Sequence, residues 1–320
     1  MVGVSNGGGM RRLFNLRIVL VQCCILLLVA CSTAANAEEA HVPAYSKAAQ
    51  SDPVPVTAPT AIPQPKVVTA VSSVPIGKHG GSLTVVGQAD IPHRDVHQES
   101  QETLTALGPG MAYSRLLRLH TGGDVKQPSL PLECDLCQSW RLTPEFDYEF
   151  QLREDVKWQN VEPVNGRGVV AEDLVFSYQR MQTPGWPNAS LFADRGIASF
   201  QATESHTLRV NLDFLDSDAL LSLSDGHSKI VAKEVVEKYG DLKDSPVVGS
   251  GPWIWSSTLE GIGTTLNRNP DYFEDGLPFL DELIIKLIEP SEISASAPQE
   301  RLAAFQAGLV DVLTLPPKEW

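Results

Sequence analysis

The chain has 320 residues, of which 42% are hydrophobic, and a formal net charge of −14. Nucleic acid and anionic lipid surfaces would repel so acidic a chain at long range, which excludes both as its main partner. The length is sufficient for one large domain or two modest domains with a sizeable buried core.

A short apolar segment follows a basic patch at the start of the chain. Arg11, Arg12 and Arg17 supply the positive charge, and the apolar segment covers residues 18–30. A helix needs about 20 apolar residues to cross a bilayer, so this segment is too short for an ordinary transmembrane anchor. It is typical of the central part of a signal peptide, and it predicts an exported protein.

The sequence offers two candidate cleavage sites at or shortly after the end of this segment. Leu28-Val29-Ala30-Cys31 resembles a lipobox, whereas Ala35-Asn36-Ala37 resembles the pattern of ordinary signal peptidase. We favour lipidation of Cys31, which would tie the protein to a membrane surface without a spanning helix. A soluble secreted form and an uncleaved anchor are the alternatives. Residues 1–31 are accordingly assigned to a signal peptide with a lipobox.

A proline-rich linker is predicted at residues 32–79, with seven prolines between positions 43 and 75. Proline fixes its own backbone angle and favours extended geometry at the preceding residue, so this segment is expected to be a semi-rigid spacer without a core. A plain disordered linker would serve the same function. The folded part is predicted at residues 80–320.

Periodic apolar residues in the folded part predict a mixed α/β fold. In the helix expected at 171–181, Leu174, Tyr178 and Met181 share one face, and acidic residues occupy the first turn. A second helix is expected at 301–307, with Gly308 as its cap. Strands are expected at residues 82–86, 148–152, 208–212, 283–288 and 310–313.

Only two cysteines, Cys134 and Cys137, fall in the folded part. A lone Cys-x-x-Cys in an exported protein is compatible with a small disulfide, half of a metal site or a redox pair. A zinc site with four thiolates would need a second pair, which the sequence lacks. We expect a local disulfide or two packed thiols.

Common catalytic motifs are absent from the sequence, including Gly-x-Ser-x-Gly, the phosphate-binding glycine loop and His-Glu-x-x-His. His93 and His97 would share a face on a helix and could then bind a metal ion, but Pro92 favours a turn there. We therefore expect no enzymatic activity, no metal and no cofactor.

Several segments resemble the family 5 extracellular solute-binding proteins, the peptide, dipeptide and nickel receptors of ABC importers. The similarity begins at Cys137-Gln138-Ser139-Trp140, continues through residues 147–158 and extends to the Ala-Glu-Asp-Leu-Val-Phe-Ser-Tyr-Gln-Arg string at 171–180. Its later parts are Val-Gly-Ser-Gly-Pro-Trp at 248–253, Asn-Pro-Asp-Tyr-Phe at 269–273, Gly-Leu-Pro-Phe-Leu-Asp at 276–281 and residues 301–311. These are mostly turns that need glycine or proline, so they identify a scaffold and leave the ligand open.

The resemblance implies a periplasmic binding protein-like type II fold of mixed α+β lobes, here two lobes of a normally three-lobed clamshell. Lobe I would comprise residues 80–111 and 205–320, and lobe II residues 112–204. Family members are typically longer, so the chain is expected to be C-terminally truncated and unable to close on its solute by itself. Family members also usually carry Thr or Ser where Val170 stands, so the cap of the following helix is expected to be missing or supplied by another group.

The function implied by the resemblance is that of an extracytoplasmic, monomeric substrate-binding component of an ABC importer. It would capture an oligopeptide or similar small solute and deliver it to the permease subunits. Candidate ligand-side residues are Asp90, Pro92 and His93 after the first strand and Trp253 in the Gly-Pro-Trp turn. The alternative function is that of a signalling or adhesive surface lipoprotein that kept the fold, with an exported hydrolase as a third.

Overall fold

The structure is a computed structural model that describes residues 77–87, 89–126, 128–288 and 297–313. The predicted signal peptide, the lipidation site at Cys31 and the linker up to residue 76 lie outside the described residues. Within the described ranges, no helix combines the length and hydrophobicity that crossing a bilayer would require.

Ten strands and five α-helices follow one another along the described residues. They are β1 (Ser82–Gly87), α1 (Glu102–Thr105), β2 (Leu117–Leu119), β3 (Leu132–Cys134), β4 (Cys137–Leu142), β5 (Tyr148–Leu152), α2 (Ala171–Met181), β6 (Ile197–Glu204), β7 (Thr207–Leu212), α3 (Ala219–Ser222), α4 (Lys233–Tyr239), β8 (Trp253–Leu259), β9 (Gly263–Arg268), β10 (Glu282–Leu287) and α5 (Ala297–Gln306). Single 3-10 turns occur at Pro109–Ala112 and Ala193–Arg195.

The first sheet has the strand order β1-β10-β9-β8. β1 runs parallel to β10, and the other pairs are antiparallel. Its core is small and contains Trp253, Leu266, Leu283 and Ile285. The predicted strand at 82–86 is confirmed, but its side chains are only partly buried because β1 is the terminal strand of this sheet.

The second sheet is fully antiparallel, with the order β4-β5-β7-β6, and α2 packs on β6 and β7. As predicted, Leu174, Tyr178 and Met181 of α2 are fully buried. The Tyr178 ring lies 4.9 Å from the Phe192 ring and 4.5 Å from the Phe200 ring, measured between centroids. This helix therefore anchors the larger of the two cores. A separate two-stranded ribbon, β2-β3, precedes the sheet in the chain.

The N-terminal cap of α2 is formed without Thr or Ser at position 170. The Asp173 carboxylate accepts a hydrogen bond from the Val170 N–H at 3.0 Å, and Arg167 holds that carboxylate through both Nη atoms at 2.7 and 2.8 Å. The Ser205 carbonyl also accepts from the Ala171 N–H at 2.8 Å. The cap is thus supplied by other groups, the second of the two outcomes considered from the sequence.

Strand pairing bears on one predicted boundary. A division between residues 204 and 205 would place β7 in lobe I, yet β7 is hydrogen-bonded to β5 and to β6 in the second sheet. The reason is a tight hairpin at residues 205–206 that keeps β6 and β7 adjacent. The remaining lobe boundaries stay a prediction.

The C-terminal elements also differ from the sequence-based expectation. Leu302 and Phe305 share a face of α5, but they are 37% and 44% exposed. In place of a strand at 310–313, the described part forms a single parallel bridge between Val312 and Val85. Gly308 follows α5 with a φ of +68°, which suits the predicted cap.

Candidate functional site

A cavity of about 390 Å³ opens beside the start of β8, a volume within the range usual for small-ligand sites. Its lining includes Pro252, Trp253, Tyr272, Glu274 and residues 277–280. Arg118 of β2 completes the lining. Most of these side chains are apolar or aromatic, so the cavity suits a small solute with an apolar part.

The backbone around the cavity is fixed by the glycine-rich turn that precedes β8. A Cβ atom on Gly249 would overlap with the Ala112 carbonyl oxygen, which leaves no room for any other residue there. The Gly251 N–H donates to the same oxygen at 2.9 Å. In turn, Asn269 donates from its side chain to the Gly251 carbonyl and from its N–H to the Pro252 carbonyl, both at 2.9 Å.

A buried glutamine ties this turn to the segment after β5. The Gln159 N–H donates to the Gly249 carbonyl and its side-chain amide to the Trp253 carbonyl, both at 2.8 Å. Because buried backbone carbonyls need such partners, Gln159 keeps the Trp253 backbone in place at the cavity wall.

The polar end of the cavity is an ion-pair cluster around Arg118. Its guanidinium lies 2.7 Å from a Glu274 oxygen, 2.6 Å from a Glu133 oxygen and 3.8 Å from an Asp135 oxygen. Burial opposes the charge of Arg118, but the carboxylates outweigh it and raise its pKa. For the acidic groups Asp135 and Tyr272, burial favours the neutral form and raises the pKa. Arg118 is therefore a permanent charge whose hydrogen-bonding capacity is largely taken up by the protein.

Of the four ligand-side residues predicted from the sequence, only Trp253 lines this cavity. Asp90 accepts hydrogen bonds from the Gly261 N–H at 3.1 and 3.2 Å, beside a different and very small cavity under β1. Pro92 is exposed, and His93 accepts from the Asp95 N–H at 3.1 Å. A role for these three in solute binding stays a prediction.

Sequence reasoning missed the residues that accompany Trp253 in the cavity. Tyr272 and Phe279 belong to the Asn-Pro-Asp-Tyr-Phe and Gly-Leu-Pro-Phe-Leu-Asp motifs, which in the sequence indicate only a scaffold. Those motifs were the available signal. The sequence contains no signal for Arg118 and Glu274, because no local pattern shows that β2 approaches the segment after β9.

The loop after β1 holds a buried ion pair with a structural role. Asp95 is fully buried and accepts from Arg180 of α2 at 2.5 and 3.0 Å and from the Leu242 N–H at 3.2 Å. Burial opposes the charge of Asp95, but Arg180 outweighs it and lowers the pKa. Burial lowers the pKa of His97 to about 4, and its Nε2 lies 2.8 Å from the Lys229 carbonyl oxygen. His97 is thus a neutral core residue.

A disulfide joins Cys134 and Cys137, whose Cα atoms are 4.9 Å apart. His93 and His97 do not form a metal-binding face, since His97 is fully buried in the core. Across the described residues, no group of three or more His, Cys, Asp or Glu side chains is arranged to hold a metal ion.

A family model described as bacterial extracellular solute-binding proteins, family 5 Middle, matches residues 132–320. Because that match covers more than half of the chain, the chain belongs to this family.

Curated relatives agree with the family match. The chain is 27% identical over 231 residues to the probable di/tripeptide-binding protein 5 of Pseudomonas aeruginosa. The aligned region covers 66% of this chain and 42% of that protein. It is 26% identical over 223 residues to heme-binding protein A of Haemophilus influenzae, covering 64% of this chain and 38% of that protein. The chain thus spans less than half the length of these two relatives.

Solved structures share the fold. Haemophilus influenzae OppA in complex with the peptide RPPGFSPFR matches with a TM-score of 0.63 and 21% identity, over 76% of this chain and 48% of that one. Helicobacter pylori DppA in complex with the peptide STSA matches with a TM-score of 0.60 and 22% identity, over 73% and 46%. MoaA of A. tumefacien R10 in complex with mannopinic acid matches with a TM-score of 0.58 and 29% identity, over 73% and 44%. The chain therefore has the periplasmic binding protein-like fold expected from its sequence.

Proposed function

We propose that this chain is the solute-binding component of an ABC importer, which captures a peptide or similar small solute outside the cytoplasm and delivers it unchanged to permease subunits. The observation that carries the proposal is the 390 Å³ cavity built by the Gly-Ser-Gly-Pro-Trp and Asn-Pro-Asp-Tyr motifs in a chain of family 5. Relatives named for di/tripeptide binding and a fold shared with peptide complexes support a peptide as the cargo.

In this role, the aromatic and aliphatic side chains of the cavity bind the apolar part of the solute. Trp253, Tyr272 and Phe279 contribute aromatic surface to the lining, and the Arg118–Glu274 pair places charged groups beside it. Closure of a second surface over the solute would add contacts that the open form lacks, so binding and closure would be coupled. The chain acts as a carrier without enzymatic activity.

The location we propose is the outer face of the cytoplasmic membrane or the periplasm, with a lipid on Cys31 as the anchor and the proline-rich linker as the spacer. The lipobox-like residues 28–31 support the anchor, and the family of extracellular proteins supports the location. We further propose that the chain is a monomer that contacts permease subunits.

Peptide binding can be tested by saturation-transfer difference NMR on the full chain with a set of di- and tripeptides that carry aromatic or aliphatic side chains. Because the cavity is open to solvent, we expect weak binding, with a Kd of about 1 mM. Phe279→Ala should reduce the transferred saturation strongly, because it removes a ring from the cavity wall.

The matched control is Phe214→Ala, which makes the same change at a 54% exposed ring that does not line the cavity. The control should leave the NMR signal unchanged. Absence of saturation transfer for every peptide in the set, or equal loss in both variants, would contradict the proposed function.

A further inference from the structure

The Cys134–Cys137 disulfide closes a four-residue ring where the β2-β3 ribbon meets the second sheet. Cys134 lies opposite Leu117 of β2, and Cys137 lies opposite Leu152 of β5. Cys137 is fully buried in the larger core. The ring, residues 134–137, thus fixes how the ribbon that carries Arg118 is placed against the sheet.

Inside the ring, Asp135 is buried and makes contacts on both its side chain and its backbone. Its carboxylate accepts from the Arg115 N–H at 2.8 Å and lies 3.8 Å from the Arg118 guanidinium. Its carbonyl accepts from Arg153 Nε at 3.1 Å, and the neighbouring Leu136 carbonyl accepts from the Arg153 N–H at 2.9 Å. The ring therefore binds the Arg153 side chain through a hydrogen bond and attracts the Arg118 guanidinium through a longer charge pair.

Both arginines reach the segment that forms one wall of the cavity. Arg118 pairs with Glu274 at 2.7 Å, and the Arg153 guanidinium lies 5.2 Å from the centroid of the Phe273 ring. Tyr272 and Glu274, which flank Phe273, line the cavity itself. Two independent contacts therefore connect the ring to residues 272–274.

We propose that the Cys134–Cys137 disulfide and Asp135 are positioning residues for the cavity wall at 272–280, acting through Arg118 and Arg153. The inference rests on the proposed function, because it takes the cavity as the solute site, and it adds the elements that hold this site in shape. Packing alone would not require a charge in the ring, since a buried carboxylate costs free energy unless cations compensate it. Burial raises the pKa of Asp135, and Arg118, Arg115 and Lys229 oppose this effect, so the carboxylate depends on these cations for what compensation it has.

Reduction provides a reversible way to release the ring. A dithiol such as dithiothreitol supplies two electrons and two protons, so the bond between the two sulfurs breaks, both cysteines become thiols, and the reductant forms its own disulfide. The freed ring no longer fixes Asp135. Arg118 and Arg153 then lose part of their support, and the 272–280 wall opens more often.

Hydrogen–deuterium exchange of the ligand-free full chain tests this coupling. On reduction, amides in peptides covering 269–281 should exchange about tenfold faster, because this wall loses part of the support from Arg118 and Arg153 that opposes its local opening. The hairpin at 197–212 should be unaffected, and reoxidation should restore the original rates. A Cys134→Ser/Cys137→Ser variant should exchange fast at 269–281 with and without reductant.

Asp135→Asn keeps the disulfide and the size of the side chain while it removes the charge. We expect faster exchange at 269–281 in this variant, whereas Glu149→Gln, which removes a carboxylate from the exposed pair with Arg141, should leave that region unchanged. Unchanged exchange at 269–281 on reduction, or an equal rise throughout the chain, would overturn the inference.

The exchange experiment contains no solute, so its outcome is separate from that of peptide binding. If exchange responds to the disulfide and no peptide binds, the proposed function fails and the structural coupling stands. If peptides bind while exchange at 269–281 ignores the disulfide, only the positioning role fails.

Discussion

Replacement of His97 by glutamine should make the protein more resistant to unfolding in mild acid. The His97 side chain is fully buried, its Nε2 is bonded to the Lys229 carbonyl, and its Nδ1 has no hydrogen-bond partner among the described residues. A proton on Nδ1 would place a charge in the core beside Arg180. Burial and Arg180 together lower the His97 pKa from 6.5 to about 4.

The sign of the effect follows from which state binds the proton. Between pH 6.5 and 4, the unfolded chain protonates His97 and the folded chain does not, so a fall in pH favours unfolding. One pKa unit corresponds to about 1.4 kcal/mol, so His97 alone should lower the free energy of unfolding by roughly 2 kcal/mol between pH 7.5 and pH 5. The glutamine of the His97→Gln variant has no proton to bind in this range, and its amide can still donate to the Lys229 carbonyl.

Urea denaturation of both proteins at pH 7.5, 6.5, 5.5 and 5 would measure the difference. Asp225 raises the pKa of His227, so His227 also titrates in this window. The stability that His227 contributes is present at low pH and is lost as the pH rises. The wild type minus variant difference at each pH removes that contribution except for the small effect of the His227 charge on the His97 pKa. A difference that changes by less than about 0.5 kcal/mol across the series would refute the assignment of His97 as a buried neutral imidazole.

Two further substitutions address the scaffold. Gly249→Ala should lower the free energy of unfolding by more than about 3 kcal/mol, because the new Cβ atom would collide with the Ala112 carbonyl oxygen. The control is Gly123→Ala, where no described atom lies within 4 Å of the new Cβ atom, and it should be neutral. Thermal unfolding of both variants would measure the difference. Arg180→Met should cost about 3 to 5 kcal/mol because Asp95 is left buried without its cation, and adding Asp95→Leu should recover part of that loss in urea denaturation. Losses that simply add in the double variant would contradict the second expectation.

The sequence predicted elements best where the signal is local. The helix at 171–181 was predicted with its correct ends, because the spacing of Leu174, Tyr178 and Met181 and the acidic first turn belong to the helix itself. The strands at 148–152 and 208–212 were likewise visible as alternation, and Phe150 and Leu208 are fully buried. The pairing of β7 with β5 was not visible in this way, because these two strands are distant in the chain.

The candidate site was predictable only in part, for a related reason. Trp253 was identified because it stands inside a recognisable turn motif. Arg118 and Glu274 lie 2.7 Å apart in space but belong to segments separated by more than a hundred residues. A sequence pattern reveals contacts within one element and leaves contacts between distant segments to the fold.

The hydrogen bonds around the cavity explain why the motifs identify the family more readily than the solute. Asn269 is bonded to the carbonyls of Gly251 and Pro252, and Gln159 to that of Trp253, so these residues satisfy each other's buried polar groups whatever the cavity contains. Their replacement would leave such groups unpaired and would disturb the scaffold. The Phe279 side chain lines the cavity and, being a hydrocarbon ring, satisfies no buried polar group. A change of solute is therefore expected to require changes at positions such as 279, while the Gly-Pro and Asn-Pro turns stay as they are.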